Sequence, residues 1–118
     1  MSTGQFWVEL VGELVVARVR GEPTEQLLKD AQEQVIHLVR EAGRGKVLYD
    51  TLEMDPPPVD VPWTQRELDQ QLGSLKLKRA IVVPNSRLAF LARIAFGEGD
   101  YRVFYNDFVA AIRWLSEA

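Results

Sequence analysis

The chain has 118 residues, 47% of them hydrophobic and 26% charged, with a formal net charge of −3 and no cysteine. This length suits a single domain spanning 1–118 whose core needs neither metal nor disulfide, and the composition is that of a globular chain. The absent cysteines exclude disulfides, thiol catalysis and thiolate metal sites, and the slight acidity argues against a nucleic-acid binder, which usually carries a basic face.

The opening MSTGQFWVEL has neither a basic leader nor a long apolar core. No segment approaches the roughly 20 apolar residues that span a bilayer, so the expectation is a cytoplasmic protein without membrane insertion. FWVEL and LVVARVR are short runs of β-formers separated by Gly12-Glu13, a pair suited to a type II′ hairpin. Val15, Ala17 and Val19 alternate with Val16, Arg18 and Arg20, so one face of this strand is covered and the other meets water.

GEPTEQ announces a helix with Thr24 as N-cap. Its core stripe is Leu27, Leu28, Ala31, Val35, Leu38, Val39 and Ala42, and Gly43 is placed for a left-handed C-cap. KVLYDTL then reads as an interior strand covered on both faces. After Pro56–Pro58, Thr64 and Glu67 have the spacing of a capping box. Leu68, Leu72 and Leu75 form the stripe of that second helix, with Gly73 as its cap.

RAIVVP is the next strand, and Asn85 or Ser86 caps a third helix through RLAFLARIAF, closed by Gly97. GEGD turns into YRVFY, and Asn106 caps a last helix with Phe108, Ala111, Ile112 and Leu115 facing the core. The predicted fold is α/β, a mixed, mostly parallel sheet of about five strands with four helices in the order ββαβαβαβα. Val47, Leu48, Ile81, Val82 and Val83 centre its core.

This order, with Gly21-x-x-Thr24, VLYDTL, RAIVVP and YRVFYNDFVAAIRWL at its landmarks, resembles the STAS superfamily of SpoIIAA-type anti-sigma-factor antagonists. The closing strand and helix look most like an uncharacterised bacterial branch, whose fold is also compared with CRAL-TRIO lipid-transfer domains. The resemblance implies a regulatory, protein-binding module, with a small apolar or lipid-like ligand as the alternative. In the antagonists, a loop after the central strand carries an Asp-Ser-Ser-Gly-like signature whose serine is phosphorylated. This chain has MDPPPVDVPWTQRE there, with no serine or glycine. Thr64 is its only hydroxyl, a cap before it is a phosphosite, and Asp55 and Asp60 flank a stiffer, acidic loop.

Asp50 and Thr51 stand near the C-terminal end of the central strand, where open α/β sheets place ligands; the favoured reading is that they satisfy backbone groups in the following turn. His37 lies off the apolar stripe, so a solvated position is favoured, and a lone histidine builds no metal site. Glu98 and Asp100 lie in a turn, and Lys76, Lys78 and Arg79 form a solvated strand entrance. No nucleophile–base pair is recognisable, and neither an enzyme nor a cofactor is expected.

The third helix is apolar nearly all round, with only Arg87 and Arg93 polar. One core stripe would leave Phe90, Leu91, Ile94 or Phe96 in excess. That excess packs on a neighbouring helix, meets a partner or second copy together with Trp63, or lines an apolar cavity.

Overall fold

The hairpin opens the sheet as the sequence implies. Gly12 takes φ +59° while Glu13 stays out of the left-handed region, which makes the turn type II′. The computed structural model describes residues 4–43, 45–58, 60–70, 76–97 and 100–117, with the side chains of 67–70 outside the described set. In chain order the elements are β1 (Gln5–Val11), β2 (Leu14–Gly21), α1 (Glu25–Ala42), β3 (Lys46–Met54), α2 (Asp60–Gln70), β4 (Lys78–Val83), α3 (Ser86–Phe96), β5 (Tyr101–Tyr105) and α4 (Phe108–Ser116).

The strands lie side by side in sequence order, with β1 antiparallel to β2 and every later pair parallel. Right-handed crossovers laid down in one direction put α1, α2 and α3 on the same face. Val15, Ala17, Val47, Tyr49, Ile81 and Val83 meet Val35, Val39, Leu88 and Leu91 there. On the other face α4 alone seals Leu48, Ala80 and Val82 beneath Ala111 and Leu115. All five expected core residues are buried.

Caps separate helix starts that look alike in sequence. Leu27 N–H donates to Thr24 Oγ1 at 3.1 Å, and Gly43 closes α1 at φ +66°. Asn85 caps α3 by accepting from Leu88 N–H. The α2 start differs from the expected one, because the helix begins at Asp60 and Thr64 lies inside it. Pro62 fits the first turn, where its missing N–H goes unused, and Asp60 suits the positive end of the dipole. Thr64 Oγ1 instead donates to Glu25 Oε1 at 3.0 Å, with the Asp60 carbonyl 3.3 Å away. The capping-box partner Glu67, the Leu68, Leu72 and Leu75 stripe and Gly73 lie outside the described residues or side chains, as does Glu98.

Two further expectations change. Asp107, not Asn106, caps α4 by accepting from Ala110 N–H; Asn106 takes φ +52° and donates to the Pro84 carbonyl. Lys78 and Arg79 do not form a solvated entrance. Lys78 Nζ donates to the Trp114 and Glu117 carbonyls at the end of α4, and Arg79 is 4% exposed with its guanidinium over the Phe96 ring. Both cations sit where a helix end or an aromatic face balances them.

The caps give a direct comparison. Thr24→Ala should cost about 1 kcal/mol of stability, as a lost N-cap does. Thr64→Ala should stay within about 0.5 kcal/mol, as for a surface position without a special role. Urea unfolding of the two variants measures the difference.

Candidate binding cleft

The face under the first three helices is not filled. A cleft of about 100 Å³ opens there, floored by Ala17, Tyr49 and Thr51 and bounded by α1, α2, α3 and the proline arm at Pro57. It exists because alanines stand where the elements converge: Ala17 on β2, Ala31 on α1, and Ala92 and Ala95 on α3 stop at Cβ. Interiors close-pack when volumes match, and here they fall short.

Few polar groups reach the cleft, and those with partners are occupied. Tyr49 Oη donates to Gln32 Oε1 at 3.0 Å. Thr51 Oγ1 donates to the Val82 carbonyl at 2.7 Å. Gln65 lines one wall, and its amide nitrogen has no hydrogen-bond partner among the described residues.

The expected site residues divide between this cleft and other places. Leu91 is 3% exposed and Phe96 packs against Tyr49 and Tyr101, at centroid distances of 5.2 and 5.6 Å, so both form cleft wall. Phe90 is 56% and Trp63 51% exposed, so these two rings point to solvent, with the Arg66 guanidinium 5.4 Å over the Trp63 ring. Ile94 is half-buried on α3.

Asp50 lies on the opposite face of the sheet, because β3 alternates: Tyr49 and Thr51 face the cleft, Leu48 and Asp50 face α4. The β2–β3 register jumps between Arg18↔Asp50 and Arg20↔Glu53, so β3 carries a bulge just after Asp50. The buried Asp50 carboxylate holds it: Oδ1 accepts from Leu52 N–H at 3.1 Å and Oδ2 accepts from Arg18 Nε at 2.9 Å. Both side chains bond backbone groups, but not in the following turn expected from the sequence: Asp50 bonds Leu52 within β3, and Thr51 reaches across to Val82 on β4. His37 is exposed and meets Glu41, at 3.2 Å.

Among the described residues no cluster of three or more His, Asp or Glu side chains could hold a metal, and no helix is long and apolar enough to cross a membrane. An apolar cavity beside α3 was one of the outcomes open from the sequence, and Leu91 and Phe96 do line this cleft, but its place beneath three helices was not foreseen. Its signal was the alanines on facing elements, which reads as a void only once those elements are brought together.

No model of a known protein family matches the sequence, and no curated protein matches it. Among solved structures, the chain is similar to an uncharacterized protein of the DUF3478 family from Shewanella loihica PV-4, described as having a SpoIIAA-like fold. The two share 19% identity at a TM-score of 0.65, over 98% of this chain and 95% of that one. At that identity the likeness is one of architecture, and this α/β chain has a SpoIIAA-like fold.

Proposed function

We propose that the protein is a non-enzymatic regulatory module of the STAS-like type that binds another protein, or itself, through the apolar outer surface of α2 and α3. The observation that carries this reading is the exposure of Trp63 and Phe90, two aromatic rings of the kind that anchor interfaces, on adjacent packed helices. The non-enzymatic part is supported by the polar candidates. Asp50, Thr51, Thr64 and His37 are each engaged with a different structural partner, and no nucleophile meets a base among them. Phe90→Asp and Trp63→Asp should abolish capture of the partner, or self-association in sedimentation, while the fold persists. Unchanged capture by both variants would overturn the reading.

The cleft favours a second reading, a carrier of a small apolar molecule. Its volume is below the roughly 150 Å³ of an engineered cavity that binds benzene, so the occupant is a small molecule or the end of a chain. Native mass spectrometry would show a co-purifying mass that Ala92→Leu, which fills the cleft, removes. Phe90→Asp should leave that mass in place, so the two variants separate the two readings.

A further inference from the structure

The surface of the molecule that is least protected lies away from α2 and α3. β1 forms one edge of the sheet, and its hairpin register fixes which backbone groups are left open. In a hairpin closed by two residues, the pair flanking the turn exchanges both hydrogen bonds, and so does every second pair beyond it. Val11, Glu9 and Trp7 therefore bond to Leu14, Val16 and Arg18 of β2. Phe6, Val8 and Leu10 direct their N–H and C=O groups outward.

Natural edge strands are guarded by lysine, proline, a bulge or shortness. β1 has none of these. It is seven residues long, pairs with β2 in unbroken register, and has Glu9 as its one charge. Its apolar side chains are open as well, with Trp7 46%, Leu10 47% and Val11 52% exposed. A depression of about 480 Å³ adjoins the strand, bordered by residues 6–9, Arg18 and Gln34. β5, the opposite edge, is shorter and carries Arg102.

We propose that β1 is a self-association edge, through which two copies of this chain pair antiparallel about a two-fold axis into one continuous sheet. The strand is its own complement, and Glu9 selects the register. The outward residues Phe6, Val8 and Leu10 must face each other, so the axis can pass through Val8 or be offset to either side. Offset toward Leu10, the pairing sets Glu9 against Glu9 of the second copy, a destabilising like-charge pair. Offset toward Phe6, it leaves Leu10 and Val11 outside the paired stretch. Centred on Val8, it matches the whole strand. Phe6 then lies beside Leu10 of the second copy on one face, and Glu9 beside Trp7 on the other. Arg18 is the cross-strand neighbour of that Trp7 on β2; its Nε bonds to Asp50 while its side chain stays 56% exposed, so each Glu9 approaches the exposed part of a guanidinium of the other copy. Strands are about 4.8 Å apart, which places Glu9 and Arg18 two strands apart and within reach of their long side chains.

The test is sedimentation of the full chain across a range of concentrations, combined with amide hydrogen exchange. The wild type should dimerise, and Leu10→Lys should raise the dimer Kd by at least about tenfold, equivalent to about 1.4 kcal/mol. Glu9→Lys, at an exposed position, should do the same by setting a second cation against Arg18. The amides of Phe6, Val8 and Leu10 should be protected in concentrated wild type and exchange freely in both variants. Those of Trp7 and Glu9, bonded within the hairpin, should stay protected throughout. A wild type that remains monomeric would overturn the proposal. So would a dimer whose Phe6, Val8 and Leu10 amides exchange as freely as in the variants, because its copies would then meet elsewhere.

Discussion

Leu91→Asp should leave the protein unfolded, while Phe90→Asp, its immediate neighbour, should fold with nearly wild-type stability. Leu91 is 3% exposed, between the sheet and the cleft. Its replacement removes a core side chain, worth about 2–5 kcal/mol, and buries an unpaired carboxylate at a further cost of several kcal/mol. Together these approach or exceed the roughly 5–15 kcal/mol that holds a domain folded. Phe90 is 56% exposed, so an aspartate there stays hydrated and shifts stability by about 1 kcal/mol or less. Circular dichroism and thermal melting of the two proteins give the comparison. A folded Leu91→Asp variant would show that α3 is rotated from the orientation described.

Leu115→Ala should cost about 2–5 kcal/mol, a large share of total stability for one truncation on the last helix. The face it serves has a single helix. Leu48, Ala80 and Val82 are covered by α4, whose buried side chains are Ala111 and Leu115, with Leu115 fully buried. Among the described residues no second helix stands on this face to move into the space, and the residual cavity adds to the lost transfer energy. In urea, with a slope of about 1–3 kcal/mol per molar, the midpoint should fall by roughly 1–3 M. A cost below about 1 kcal/mol would mean that α4 relaxes onto the sheet without penalty. Lys78, which bonds to the Trp114 and Glu117 carbonyls, ties the end of the helix independently of this packing.

Much of the cleft was hidden for the same reason that Leu91 and Phe90 could not be told apart. RLAFLARIAF is apolar on nearly every side, so its periodicity does not say which side meets the sheet. The answer came from α2 and β4, which bury Leu88, Ala89 and Leu91 and leave Phe90 outside. Thr64 shows a different limit. Thr-x-x-Glu is a local pattern, whereas the start of α2 was set four residues earlier by Asp60 and by a proline that suits a first turn. Arg79 shows a third, since alternation of side chains does not reveal that Phe96 covers the strand entrance.

The sequence by itself determined the element order, the hairpin, the caps at Thr24 and Gly43 and the five-residue centre of the core, and it narrowed the α3 cap to Asn85 or Ser86. These follow from hydrophobic period, backbone permissiveness and hydrogen bonds that close within a few residues. Only the tertiary structure decided which side of α3 is buried, that Asp50 pairs with Arg18 and Thr51 with Val82, and that four alanines from three elements leave a cleft. Those outcomes depend on volumes and surfaces contributed by distant segments, and no short-range pattern records how such segments add up in space.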